Sequence, residues 1–178
     1  MGLEARLKFI KLVPSLYDRY IHIGTMAYNQ HYRHLWPNGD TTTYIQHSFT
    51  KQVLLNEELD INTHLFIIQL DATYVGILKV TLHKSILSFT ESEAIYLDKI
   101  YILKEFSGLG IGARCIQFVE DMARKLSKRV LFLESMQKGR ALGFYLANGF
   151  TIVANSTVPF ENVIEEEKPM YLLKKDLP

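Results

Sequence analysis

The chain has 178 residues, of which 48% are apolar and 22% charged, the mix of one soluble domain able to bury a sizeable core. Its net charge of +1 with neutral histidines gives no field that favours nucleic acid or a membrane surface, and a lone cysteine, Cys115, excludes an internal disulfide and a multi-thiolate metal site. The opening "MGLEARLKFIKLV" has no signal-peptide core, Arg6 stands where a myristoylation signal wants Ser or Thr, and no apolar run is long enough to span a bilayer; a cytoplasmic protein is expected.

In chain order, "RLKFIKLV" predicts a first strand, and Pro14 opens a helix through "SLYDRYIHIGTMAYNQHYRHLW". "PNGD" breaks it, and a second helix is expected from about Asp40 to Leu59. "THLFIIQLD" and "TYVGILKVTLHK" read as a hairpin joined by Asp71 and Ala72. "EAIYLDKIYIL" reads as a fourth strand with Tyr96, Asp98, Ile100 and Ile102 on one face and Ile95, Leu97, Lys99 and Tyr101 on the other. A helix follows from about Gly110 to Leu126, with Ile111, Cys115, Phe118, Val119 and Met122 along an apolar stripe. "RVLFLES" is a strand, and "KGRALGFYLANGF" is a short helix stopped at Asn148-Gly149. "FTIVANS" and "PMYLLKKD" are two last strands around an acidic loop, Glu165 to Glu167. The expected class is α/β (α+β): a single domain over residues 1–178, a mixed sheet of about seven strands flanked by about four helices.

Three alternate glycines, Gly108, Gly110 and Gly112, precede the central helix. A glycine turn from strand to helix leaves backbone N–H groups free at the positive end of the helix dipole, which suits a phosphate. The alternative is a tight turn with no ligand, and three glycines together favour the ligand. A P-loop is excluded because no Gly-Lys-Ser/Thr triplet occurs, and a leading dinucleotide-binding unit is disfavoured because four strands come first.

"LDKIYILKEFSGLGIGARCIQFVEDMA" followed by "VLFLESMQKGRALGFYLANGF" resembles the GNAT family of N-acetyltransferases. The shared pattern is a strand, a glycine loop, a helix, a further strand, and a helix with a Phe-Tyr pair before Gly-Phe. Within the family, the spacing of "IYILKEFSGLGIG" is most similar to the bacterial spermine/spermidine-type enzymes. Two departures stand out: Ser107 replaces the Gln or Arg that usually opens the loop, and Lys138 and Arg140 lie where an Asn is common.

The resemblance implies acetyl-coenzyme A as donor and no metal. It places the pantetheine arm along the backbone of Ile100, Tyr101 and Ile102. The pyrophosphate would lie on the amides of Ser107, Gly108, Leu109, Gly110, Ile111, Gly112 and Ala113, with Arg140 near a phosphate. It implies Tyr145 as the acid for the departing thiolate, against a packing role for the same ring. Asp98 is the candidate base, against a carboxylate paired with Lys99 or a surface Arg. Tyr28, Tyr32 and Trp36 lie in the segment that covers the acceptor in this family, and they either shape that site or form an aromatic core; Tyr96 either holds a relaying water or packs. His31 and His34 have a metal-pair spacing but no carboxylate to complete a set, so a pocket or surface role is preferred. The expected activity is N-acetylation of a small amine, a polyamine or a peptide amine, and the alternative is a non-catalytic acyl-coenzyme A-binding regulatory module. A homodimer is compatible with this reading.

Overall fold

The computed structural model describes residues 2–178, without the side chains of residues 4 and 5. Runs rich in β-branched and aromatic residues form seven strands among the described residues: β1 (Leu7–Lys11), β2 (Thr63–Leu70), β3 (Thr73–Thr81), β4 (Ala94–Ile102), β5 (Val130–Met136), β6 (Thr151–Thr157) and β7 (Pro169–Asp176). They make one sheet in the order β1-β2-β3-β4-β5-β7-β6, as the sequence led us to expect for a mixed seven-stranded sheet. Every neighbouring pair is antiparallel except β4 and β5, which are parallel and therefore need the crossover helix between them.

The helices are a single turn α1 (Leu3–Arg6), then α2 (Tyr17–Tyr32), α3 (Thr42–Ser48), α4 (Lys51–Leu59), α5 (Ile111–Lys125) and α6 (Arg140–Ala147). The one helix expected from Asp40 to Leu59 is two. Phe49 leaves helical geometry (φ −131°, ψ 58°), and the Thr50 hydroxyl accepts from the Val53 amide at 3.2 Å to cap a new helix. The interruption lets the Phe49 ring reach the core. It lies so close to α2 that a Cβ on Gly24 would stand 2.5 Å from it. Among the described residues, no helix is long and apolar enough to cross a membrane.

Two cores sandwich the sheet. Ile111, Cys115, Val119 and Ala123 of α5 cover one face, over Ile95, Leu97, Leu131 and Leu133. The opposite face buries Ile67 and Ile77 beneath Tyr20, Tyr28, Tyr44 and Leu54 of α2, α3 and α4. The expected alternation of β4 fails at its middle. Val80 pairs with Leu97 but Lys79 pairs with Lys99, so Asp98 is an extra residue, a β-bulge. Ile95, Leu97, Ile100 and Ile102 consequently all meet the α5 core, whereas Tyr101 packs with α2 and α3. Asp98 therefore does not share a face with Ile100 and Ile102; it reaches Lys79, which is also bound by Glu57 of α4.

Candidate active site

The parallel ladder between β4 and β5 is short. It pairs Ala94–Tyr96 with Val130–Phe132 and stops there. Beyond that point β4 stays on β3 as far as Ile102 opposite Gly76, and β5 stays on β7 as far as Met136 opposite Met170. Each strand is held by its outer neighbour, so the seam between them opens toward the C-terminal end of β4. Backbone polar groups along the opened edges have no ladder partner across the gap, which suits an extended ligand.

The glycine turn lies at the open end of this seam. Gly108 (φ +78°) and Gly110 (φ +83°) adopt left-handed backbone that other residues enter only at a cost, and a Cβ on Gly108 would meet nothing within 4 Å. Gly112 differs: it is already helical, and a Cβ there would stand 2.9 Å from the Phe144 ring of α6. The first helical bond runs from the Arg114 amide to the Gly110 carbonyl at 3.2 Å, so the amides of Ile111, Gly112 and Ala113 precede it and point out of the helix start. The Ser107 amide is already used, donating to the Lys104 carbonyl at 3.1 Å. The α2 helix ties this end down. The His31 ring nitrogen Nε2 bonds the Ile102 carbonyl at 2.8 Å, and the Lys104 amide donates to the Gln30 side chain at 2.7 Å.

On the side away from α5, the seam opens into a cavity of about 300 Å³. Its wall is largely aromatic. Tyr28 stacks on Tyr44 with centroids 3.7 Å apart, and the Tyr44 and Tyr101 hydroxyls share a hydrogen bond of 2.5 Å. Burial pushes the pKa of Tyr28, Tyr32, Tyr44, Tyr96, Tyr101 and Tyr145 up, so these hydroxyls keep their protons at neutral pH. Tyr145 of α6 lines the cavity, and its hydroxyl makes no hydrogen bond among the described residues. Asp98 lines it too, 3.3 Å from Lys79 Nζ, which bonds Glu57 at 2.5 Å.

The structure thus gathers Tyr28, Tyr32, Tyr96, Asp98, Ile100, Tyr101 and Tyr145 around one cavity. Trp36 lies behind it: the ring is 2% exposed, and Nε1 donates to the Tyr28 hydroxyl at 2.9 Å. It supports the wall rather than forming it. Lys138 pairs with Glu167 at 2.9 Å, which ties the acidic loop to the segment before α6, and Glu165 pairs locally with Lys168 within the loop. Arg140 is exposed at the first turn of α6. His31 is the strut described above, and Cys115 is fully buried on the core-facing side of α5 with its thiol pKa raised by burial.

Two charged cavity residues escaped the sequence reading, Lys99 and Glu134. Lys99 was assigned to the face opposite Asp98, and only the bulge brings both to one side. Glu134 sits in the apolar run "RVLFLES", where a lone carboxylate on a buried strand was the available signal. Its oxygens accept from the Tyr96 hydroxyl at 3.1 Å and from the Ser156 hydroxyl.

Comparison with known proteins gives a consistent picture. The model of the acetyltransferase (GNAT) family matches residues 25–150. An uncharacterized N-acetyltransferase in the pepI 3′ region of Lactobacillus delbrueckii subsp. lactis is 22% identical over 139 residues, covering 78% of this chain and 79% of that protein. Among solved structures, the PaiA N-acetyltransferase of Thermoplasma acidophilum, in complex with coenzyme A, superposes with a TM-score of 0.75 at 16% identity. That match covers 96% of this chain and 98% of the other. A spermidine N-acetyltransferase SpeG chimera from Vibrio cholerae and hSSAT gives a TM-score of 0.68 at 16% identity, over 96% and 95% of the two chains. These structural likenesses establish a common fold.

Proposed function

This chain belongs to the acetyltransferase (GNAT) family, and on that premise we propose that it transfers an acetyl group from acetyl-coenzyme A to a primary amine by direct attack. One observation carries the proposal: a single opened seam joins the glycine turn, with its outward amides, to a cavity that holds Tyr145 and Asp98.

The residues present fit the donor. Gly108 and Gly110 leave open backbone beside the start of α5, a cradle that side chains would fill. In this reading the amides of Gly108, Leu109, Gly110, Ile111, Gly112 and Ala113 hold the pyrophosphate, and Arg140 meets a phosphate. Because the Ser107 amide is bound to Lys104, the phosphate-binding amides begin at Gly108. The edge of β4 at Ile100, Tyr101 and Ile102 that β5 leaves unpaired holds the pantetheine arm, although the Ile102 carbonyl is already bonded to His31. When bound, acetyl-coenzyme A supplies the acetyl group as an activated thioester.

The protein's own groups then manage two protons. Tyr145, kept protonated by burial and without a hydrogen-bond partner for its hydroxyl among the described residues, holds the proton for the departing sulfur. Asp98, paired with Lys79, takes a proton from the attacking amine, directly or through water. Tyr28, Tyr32 and Tyr96 shape the acceptor side. An acid and a base facing one cavity favour an enzyme over a non-catalytic coenzyme A-binding module. The acceptor is a small amine, a polyamine or a peptide amine.

Titration calorimetry with acetyl-coenzyme A and with NADH tests the donor. Binding of acetyl-coenzyme A alone is expected, and NADH binding without coenzyme A binding would sink the assignment. Thiol release on adding an amine separates the enzyme from a binding module.

A further inference from the structure

The cavity wall carries more charge than the transfer reading uses, and two of its charges have no oppositely charged partner among the described residues. Asp98 is matched by Lys79, which Glu57 also binds. Lys99 has no carboxylate within ion-pair distance among the described residues; its ammonium lies 5.8 Å from the centre of the Tyr44 ring and 5.6 Å from that of Phe49. Across the seam, the Glu134 carboxylate has two hydroxyl donors, Tyr96 and Ser156, and no cation among the described residues. Continued along the parallel register of Tyr96 opposite Phe132, Glu134 on β5 falls beside the Asp98 bulge and Lys99 on β4. The two unmatched charges therefore stand on opposite lips of one cavity.

We infer that the acceptor is an amine that also bears an anionic group, with its ammonium end on Glu134 and its anionic end on Lys99. The inference rests on the transfer reading above and narrows its acceptor. A charge removed from water without a counterion is costly, so each lip favours a ligand group of the opposite sign. The rings of Tyr28, Tyr32, Tyr44 and Tyr101 on the same cavity wall suit an apolar portion of that ligand. Burial lowers the Lys99 pKa in spite of nearby Asp98, which agrees with an ammonium that the fold itself leaves unmatched. A linear polyamine brings a second cation toward Lys99 and is disfavoured.

The test compares acceptors that differ only in the carboxylate: leucine with isoamylamine, tyrosine with tyramine, γ-aminobutyrate with propylamine, and spermidine as the polycation. Calorimetry with acetyl-coenzyme A comes first; a protein that fails to bind it overturns the transfer reading and this inference with it. With binding established, initial rates of thiol release give kcat/KM for each amine. In at least one pair the acid member should exceed its amine by about tenfold or more, the effect of roughly 1.4 kcal/mol. Spermidine should be the poorest acceptor. Lys99→Met should bring the ratio within each pair close to unity, Lys99→Arg should keep it, and Glu134→Gln should raise KM for acids and amines alike. Thermal melts show whether each variant is folded. The inference is overturned if the wild type prefers spermidine or the plain amines. It is equally overturned if acetyl-coenzyme A binds but no panel member is acetylated, or if folded Lys99→Met keeps the wild-type ratio.

Discussion

The three glycines before α5 separate into two jobs, and replacing Gly112 by Val probes the one that ligand binding does not explain. A Cβ at Gly112 would lie 2.9 Å from Phe144 Cζ and 3.2 Å from Cε2, closer than carbon atoms pack, and valine adds two further methyl groups. Phe144 cannot retreat freely, because it packs against the α5 core and its ring lies 5.1 Å from that of Tyr145. Overfilling such a contact costs on the order of 1–3 kcal/mol. The removal of glycine from a helix returns only a few tenths, since valine is itself a mediocre helix former. The net loss should be about 2 kcal/mol, or roughly 4–8 °C in Tm for a chain of this size. Turnover should fall with it, because the displaced ring packs against that of Tyr145. Gly110→Val should behave in the opposite way. There the nearest atom is Leu3 Cδ2 at 3.6 Å, an ordinary contact, and the burden falls on the left-handed backbone and the proposed phosphate cradle. Its affinity for coenzyme A should drop by about tenfold or more, equivalent to roughly 1.4 kcal/mol of binding. Thermal melts and coenzyme A titrations on both variants decide the matter. If Gly112→Val melts like the wild type but loses coenzyme A affinity, the packing assignment is wrong and all three glycines serve the ligand.

Tyr145→Phe removes the hydroxyl and leaves the ring contacts with Phe144 and Phe150, so kcat should fall by about tenfold or more with coenzyme A affinity unchanged. An unaltered kcat would take Tyr145 out of the acid role. Cys115 is buried with a raised thiol pKa, so a thiol reagent at neutral pH should label the native protein only on the timescale of unfolding. Fast labelling without denaturant would contradict its burial. Lys99→Met should raise Tm at neutral pH, since it removes an unmatched ammonium. Because the folded state holds the Lys99 proton less tightly than the unfolded chain, the wild type recovers stability as pH rises toward the value of an exposed lysine, about 10.4. The Tm advantage of the variant should therefore shrink in alkaline melts, and an advantage that widens there would refute the argument.

Local patterns in the chain were enough to read all seven strands, the long helix after the glycines and the stop at Asn148-Gly149, because each depends on neighbours a few residues away. The same holds for Gly108 and Gly110, whose positive φ is a property of the turn itself. The break at Phe49 was hidden, since the preference of that ring for a slot beside Gly24 on α2 depends on a distant segment. Nor could periodicity show the extra residue at Asp98, because a bulge is defined by the partner strand. That single residue reverses the face of everything after it and puts Lys99 in the cavity. The role of Gly112 likewise needed α6 to be in place. The sequence by itself determined the order of elements and the glycine turn, which are short-range chemistry. Only the tertiary structure decided where the sheet opens and which charges meet there, because strand pairing, register and burial are relations between residues far apart in the chain.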